Sequence, residues 1–320
     1  MTFTKITTAG AGTMGSQVAW QMAFHGKQVT VYDAIPAGLE KGKAFHREYA
    51  EHFIKRRGAT REQIDDTFAR LTYTTDLAAA VSDADLISES VPESMPIKES
   101  FWREASRHAS PRTVFTTNTS TLPPSALVGF VDRPQKFLAL HFAIGVWDSN
   151  IGEVMGHPAT DPAVFEHVLM FAEEIGLVPI PIRKEQNGYI INSLIVPWCT
   201  AALDLLVRGV SDFQSIDRTW MITLQSGIGP CGMMDRMGLG VVYHVAKLID
   251  ETAPNTQALE YARYIDEHFI QKGRLGVASG QGFYSYPDPA FAQPGFVRKS
   301  RDARWTASST HLAKPWRTCQ

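Results

Sequence analysis

Apolar positions in this chain repeat with two periods, and the change from one to the other falls a little past the middle. Up to about residue 185, short apolar runs alternate with stretches that place apolar residues every three or four positions. The runs predict strands at 5–8, 28–32, 85–89, 113–116, 137–142 and 177–182, and the stretches predict amphipathic helices at 17–25, 37–56 and 162–174. Strands alternating with helices imply an α/β domain with a doubly wound, mostly parallel sheet covered on both faces. The first strand is weakly written, because "KITTAG" lacks the usual apolar run. Beyond Asn187 the strand period disappears. "GYIINSLIVPWCTAALDLLVRG" predicts one long, largely buried helix with a kink at Pro197. Further helices are expected at 211–225, 238–249 and 259–272. The expected organisation is an α/β domain over 1–185, an all-α domain over 186–286 and an irregular extension over 287–320.

Composition narrows the function classes without choosing among them. The 320 residues are 44% hydrophobic and 20% charged, with a formal charge of −2, so no global field recruits nucleic acid or an anionic membrane. Cys199, Cys231 and Cys319 are far apart, with neither the spacing of a metal site nor a disulfide framework. No segment holds roughly 18 uninterrupted apolar residues. A cleaved leader would remove the glycine motif that begins at Gly10. The expectation is a soluble cytoplasmic protein with a small-molecule partner and no metal.

That motif is "GAGTMG", with Gly10, Gly12 and Gly15 in the pattern G-x-G-x-x-G and Thr13 and Met14 between the last two. It follows a strand and opens a helix, the setting in which such glycines let backbone N–H groups approach a pyrophosphate. The next strand, "QVTVYD", ends in Asp33, placed to accept hydrogen bonds from ribose hydroxyls. No Arg or Lys lies in the following seven positions to receive a 2′-phosphate. The reading is a Rossmann-type domain for NAD rather than NADP.

Two further stretches converge on one edge. "TTNTSTLPP" puts Asn118 and Ser120 after the 113–116 strand, and His141 closes the 137–142 strand at the same carboxyl end, where open α/β sheets bind ligands. Glu153 follows His141 by twelve positions, and Asn192 lies on the first long helix past the boundary. A lone His is more often structural than catalytic. A His held by a carboxylate, with a hydroxyl and an amide nearby, is suited to moving a proton while NAD accepts a hydride.

In order and spacing, "GAGTMG", "ESVPES", "NTSTL", "LALHF", "GYIINSLIVPW", "GIGPCG" and "GQGFYSYP" resemble the L-3-hydroxyacyl-CoA dehydrogenase family over roughly residues 4–286. The resemblance implies catalytic roles for Ser120, His141, Glu153 and Asn192, and cofactor-side positions for Asp33, Glu93, Lys98 and Asn118. It also implies a homodimer formed by the helical domain. Where the family reads H-F-F-N-P, this chain has "HFAIGVWDSNIGE", with Ile144 and Gly145 in place of the Asn–Pro pair and Trp147 beyond. This wording is closer to diketoreductase-like members, and Ile144 and Trp147 are expected on the substrate wall. "FIKRRG" places Lys55, Arg56 and Arg57 where the family meets CoA phosphates, although a short basic run is also an ordinary solvated helix face. The expected substrate is a short 3-hydroxyacyl-CoA. The alternatives are a diketoreductase or hydroxy-acid dehydrogenase that needs no CoA, and a crystallin-like protein that binds NAD without turnover.

Overall fold

The computed structural model describes residues 2–252 and 256–297. Contacts divide the chain into two units, Met1–Leu194 and Ile195–Gln320.

The first unit is built on eight strands: β1 (Lys5–Ala9), β2 (Gln28–Tyr32), β3 (Leu71–Thr74), β4 (Leu86–Glu89), β5 (Val114–Thr117), β6 (Phe137–Phe142), β7 (Ile151–Met155) and β8 (Val178–Ile182). They form one sheet in the order β3-β2-β1-β4-β5-β6-β7-β8. Every neighbouring pair is parallel except β6 and β7, which run antiparallel. The helices are α1 (Thr13–Phe24), α2 (Pro36–Arg57), α3 (Arg61–Ala69), α4 (Leu77–Val81), α5 (Met95–His108) and α6 (Pro162–Glu174). One hydrophobic layer gathers α1, α2 and α6 around the fully buried Trp20, whose ring meets Tyr49, Phe53 and Phe68. The opposite layer centres on Trp102 of α5, against Phe115 and Phe137. Side chains of this size stabilise by about 3 kcal/mol or more each when fully buried, so both faces are firmly covered.

Weakly written β1 forms because β2 and β4 bury it from both sides. Its polar residues are accommodated, with the Thr7 hydroxyl donating to the Ala80 carbonyl at 2.5 Å. Strands β3 and β7 and helices α3, α4 and α5 go beyond the sequence expectation. They are short, or carry Gly and charged residues that blur the periodicity.

In the second unit α7 (Tyr189–Val207), which starts in the first, is followed by α8 (Phe213–Leu224), α9 (Pro230–Met237), α10 (Leu239–Thr252) and α11 (Thr256–His268). The core is formed by Cys231, Met234, Leu239, Ile265, Phe283 and neighbours. Within it, the Asp235 carboxylate accepts the N–H groups of Phe283 and Tyr284 and the Tyr286 hydroxyl. The Asp217 carboxylate accepts the N–H groups of Cys231 and Gly232 and the Tyr284 hydroxyl. These contacts join the "GIGPCG" and "GQGFYSYP" stretches.

The expected burial of α7 is corrected. Along it only Tyr189, Cys199, Ala202 and Leu203 are buried, while Leu194 is 68% exposed. Its apolar residues face more directions than the helices among the described residues cover. By length and composition alone α7 could cross a membrane, a test that the core helix of a soluble protein also passes. The described part of the extension, 287–297, holds one short 3-10 turn, Ala290–Ala292, and buries Phe296 in the second core. Arg298, Lys299, Arg301, Arg304 and Cys319 lie outside the described residues.

Candidate active site

The glycine turn between β1 and α1 is closed so tightly that side chains are excluded. Gly10 has φ +98°, and a Cβ there would lie 2.5 Å from the Ser90 carbonyl oxygen. A Cβ on Gly15 would lie 1.8 Å from the Gly10 oxygen. Helix α1 starts on Gly12 with no side-chain cap and no acid in its first turn, so its first N–H groups remain available to an anion. The position a Gly12 side chain would take is open, with no atom within 4 Å, and Thr13 beside it is exposed. Met14 packs half-buried behind the turn. The Asp33 carboxylate accepts the Ala11 N–H and the Ile35 N–H, each at 2.9 Å, and is only half-buried. Open N–H groups beside an anchored acid fit a dinucleotide with free ribose hydroxyls.

Beneath the loop that carries Ser120 lies a buried charge cluster. Glu89 closes β4 fully buried and accepts from the Lys98 ammonium at 2.7 Å, the Thr117 hydroxyl at 2.7 Å and the Val91 N–H at 3.0 Å. Lys98, 1% exposed, also pairs with Glu93 at 3.1 Å. Glu93 in turn accepts from the hydroxyls of Thr119 and Thr121. Burial pushes the Glu89 carboxyl up, against the pull of Lys98. Glu93 is held below its ordinary value despite burial, by Lys98 and the two threonine hydroxyls. The cluster fixes the residues on either side of Ser120. Glu89 was not singled out in the sequence, although an acid ending an apolar strand was a signal that could have drawn attention to it.

His141 and Glu153 stand opposite each other in the β6–β7 ladder. His141 Nδ1 and Glu153 Oε2 are 2.8 Å apart, with both residues buried. The other carboxylate oxygen accepts the N–H groups of Ile190 and Ile191 at 2.8 and 2.9 Å, the first turn of α7. An ionised carboxylate can only accept, so the imidazole proton sits on Nδ1. Nε2 is then an acceptor, and the Ser120 hydroxyl lies 3.2 Å from it. Asn192 donates from Nδ2 to the Ser120 carbonyl at 3.1 Å. Asn118 accepts the Phe142 N–H at 2.9 Å and donates to Ser90, bracing the end of β6. Tyr189, which the sequence did not single out, stacks on the His141 ring at 4.5 Å.

The loop between the pair is pinned to the helices that follow the glycine turn. Gln17 of α1 accepts the N–H groups of Gly145 and Val146, at 2.8 and 3.3 Å. Trp147, expected on the substrate wall, is 9% exposed and packs on Tyr49, His52 and Phe53 of α2. Its ring is therefore an anchor of the loop, because an indole gains more from an aromatic cluster than from water. Ile144 remains 44% exposed. In the basic run, Lys55 pairs with Glu51, Arg56 is exposed, and Arg57 donates to the Trp147 carbonyl and to Asp148. The structure does not join Lys55 or Arg56 to the His141 group.

Comparison with known proteins decides the family. The profile described as "3-hydroxyacyl-CoA dehydrogenase, NAD binding domain" matches residues 5–186, and that of the C-terminal domain matches 188–286. The chain belongs to the 3-hydroxyacyl-CoA dehydrogenase family. It is an oxidoreductase of the NAD-dependent kind, acting on CH–OH, and the doubly wound N-terminal fold with a helical C-terminal domain is the one expected. A solved diketoreductase, described for dual catalysis of dicarbonyl compounds, is 43% identical with a TM-score of 0.83, covering 89% of this chain and 100% of that one. The mitochondrial hydroxyacyl-coenzyme A dehydrogenase of Rattus norvegicus is 28% identical over 88% of this chain and 90% of its own. The probable 3-hydroxybutyryl-CoA dehydrogenase of Bacillus subtilis is 25% identical over 90% and 99%.

Proposed function

We propose that this family member interconverts a secondary alcohol at the 3-position with the corresponding ketone, His141 acting as general acid/base. The supporting observation is the line from the buried pair Glu153–His141 to the exposed Ser120, with contacts of 2.8 and 3.2 Å. Bound NAD supplies the hydride acceptor, held by the Gly10–Gly15 turn, Asp33 and the side of the site that carries Glu93, Lys98 and Asn118. His141 Nε2 accepts the proton of the substrate hydroxyl as hydride leaves carbon 3, and in reverse returns it to the forming alkoxide. Glu153 balances the imidazolium charge that this creates. The Ser120 hydroxyl, set by Asn192 through its carbonyl, donates to the substrate oxygen.

The substrate reading is a short 3-hydroxyacyl compound. A CoA thioester is favoured by the family, and a free dicarbonyl compound by the 43% identity to a diketoreductase. The capture of Arg57 by Asp148 favours the second, since it removes one of three bases from phosphate duty. We read the protein as a cytoplasmic homodimer. Support for the dimer comes from exposed apolar side chains on α7, α8 and α10, among them Leu205, Ile222, Leu224 and Val241.

One assay tests both levels. NADH oxidation is followed with acetoacetyl-CoA and with a 3,5-diketo ester, for the wild type and for His141→Gln. The expected result is turnover by the wild type and a loss of about 10²–10⁴-fold in the variant, with NADH binding retained. Near-normal turnover by His141→Gln would sink the acid/base assignment. Faster turnover of the thioester selects acyl-CoA, and faster turnover of the ester selects a free dicarbonyl substrate.

A further inference from the structure

We infer that Tyr189 is a positioning residue for the reaction, holding the His141 ring and aiming the start of α7 at Glu153. The inference rests on the acid/base reading above and deepens it. Tyr189 is fully buried, and its ring lies against the imidazole with 4.5 Å between centroids and 23° between planes. Its backbone has φ +55°, the left-handed region that a bulky residue rarely adopts. Such a conformation persists only where the surroundings compensate for it. Here the compensation is visible. The turn through Tyr189 presents the next two N–H groups, of Ile190 and Ile191, to a single oxygen of Glu153.

The two contacts act on different parts of one device. The backbone turn anchors Glu153, which fixes the Nδ1 side of the imidazole. The ring covers a face of the imidazole, so that tilting out of the line to Ser120 would cost the stack. An aromatic face also attracts a cation, so the stack is stronger when His141 carries the proton it has taken. The charged and polar groups around this pair are Glu153 on β7, Ser120 after β5, and Glu89, Glu93 and Glu185, whose fields reach Tyr189. Burial, reinforced by these acids, pushes the Tyr189 hydroxyl upward, so it stays protonated and does not compete as a base. Its hydrogen-bond contact, a 3.4 Å donation to the Leu122 carbonyl, is at the limit of a hydrogen bond. The ring matters more than the hydroxyl.

The test compares wild type, Tyr189→Phe, Tyr189→Leu and His141→Gln. For each, NADH affinity is read by fluorescence titration, and kcat and KM for ketone reduction are measured across pH. Phe keeps the ring and is expected within about twofold of wild type throughout. Leu is expected to bind NADH normally, to lose kcat by about tenfold, and to move the alkaline fall of reduction to lower pH. A Leu variant that binds NADH and keeps both the wild-type kcat and pH profile would overturn the inference. If Leu fails to bind NADH, Tyr189→Met, closer in length and flexible, is judged by the same readings. Full turnover by His141→Gln would instead remove the acid/base reading beneath the proposal.

Discussion

At the scale of single residues, Glu153 has no oxygen to spare. One oxygen receives two backbone N–H groups and the other faces the imidazole, and the carboxylate itself is fully buried. Glu153→Gln is therefore a sharper probe than its small change in shape suggests. An amide has one accepting oxygen. With that oxygen turned to Ile190 and Ile191, the amide NH₂ faces His141 Nδ1 and forces the proton to Nε2. An imidazole protonated at Nε2 cannot accept the substrate proton. Turnover is expected to fall by about two orders of magnitude or more while NADH affinity, measured by fluorescence titration, stays near wild type. A variant with less than a threefold loss (~3-fold) would mean that the pair is not held in this tautomer.

At the scale of elements, His46 joins three of them. From α2 its Nε2 donates to the Ser16 carbonyl of α1 at 2.9 Å, and its Nδ1 accepts from the Tyr73 hydroxyl of β3 at 2.6 Å. Burial lowers its pKa from 6.5 to about 4, so the folded state prefers the neutral ring. Between those values the unfolded chain binds the proton more readily, so stability is complete above about pH 6.5 and is lost as pH falls toward 4. The loss is on the order of 3 kcal/mol. Thermal midpoints measured between pH 7 and 4 should fall less steeply in His46→Gln than in wild type, whatever their absolute values. Equal slopes would assign the acid sensitivity to other groups. The same scale shows what could be read in the letters. Strand β6, "FLALHF", is buried at every position and plain in the sequence. Strand β7, "IGEVM", is not, because Gly152 and Glu153 interrupt its apolar pattern. Gly152 is there because a Cβ would press on Leu177, Ala172 and Leu140 at 3.1–3.3 Å, a contact made by distant parts of the chain. The pairing of His141 with Glu153 was legible from spacing and resemblance, whereas the inward turn of Trp147 and the left-handed Tyr189 depend on tertiary packing and backbone angles.

At the scale of the whole molecule, the apolar side chains left uncovered on α8 and α10 make association measurable. Ile222 is 53% exposed and Leu224 54%. The wild type is expected to sediment as a dimer, and the double change Ile222→Glu with Leu224→Glu is expected to shift it toward monomer with NADH affinity intact. A wild type that sediments as a monomer at micromolar concentration would dispose of the dimer. The path of α7 has a different consequence. The family profiles meet between residues 186 and 188, yet Tyr189, the two N–H groups that hold Glu153, and Asn192 all come just after that junction. Shuffling modules at this point would thus give a chimera that inherits a cofactor-binding half from one parent and the supports of its His141–Glu153 pair from another. The border between the modules is not a neutral place for recombination.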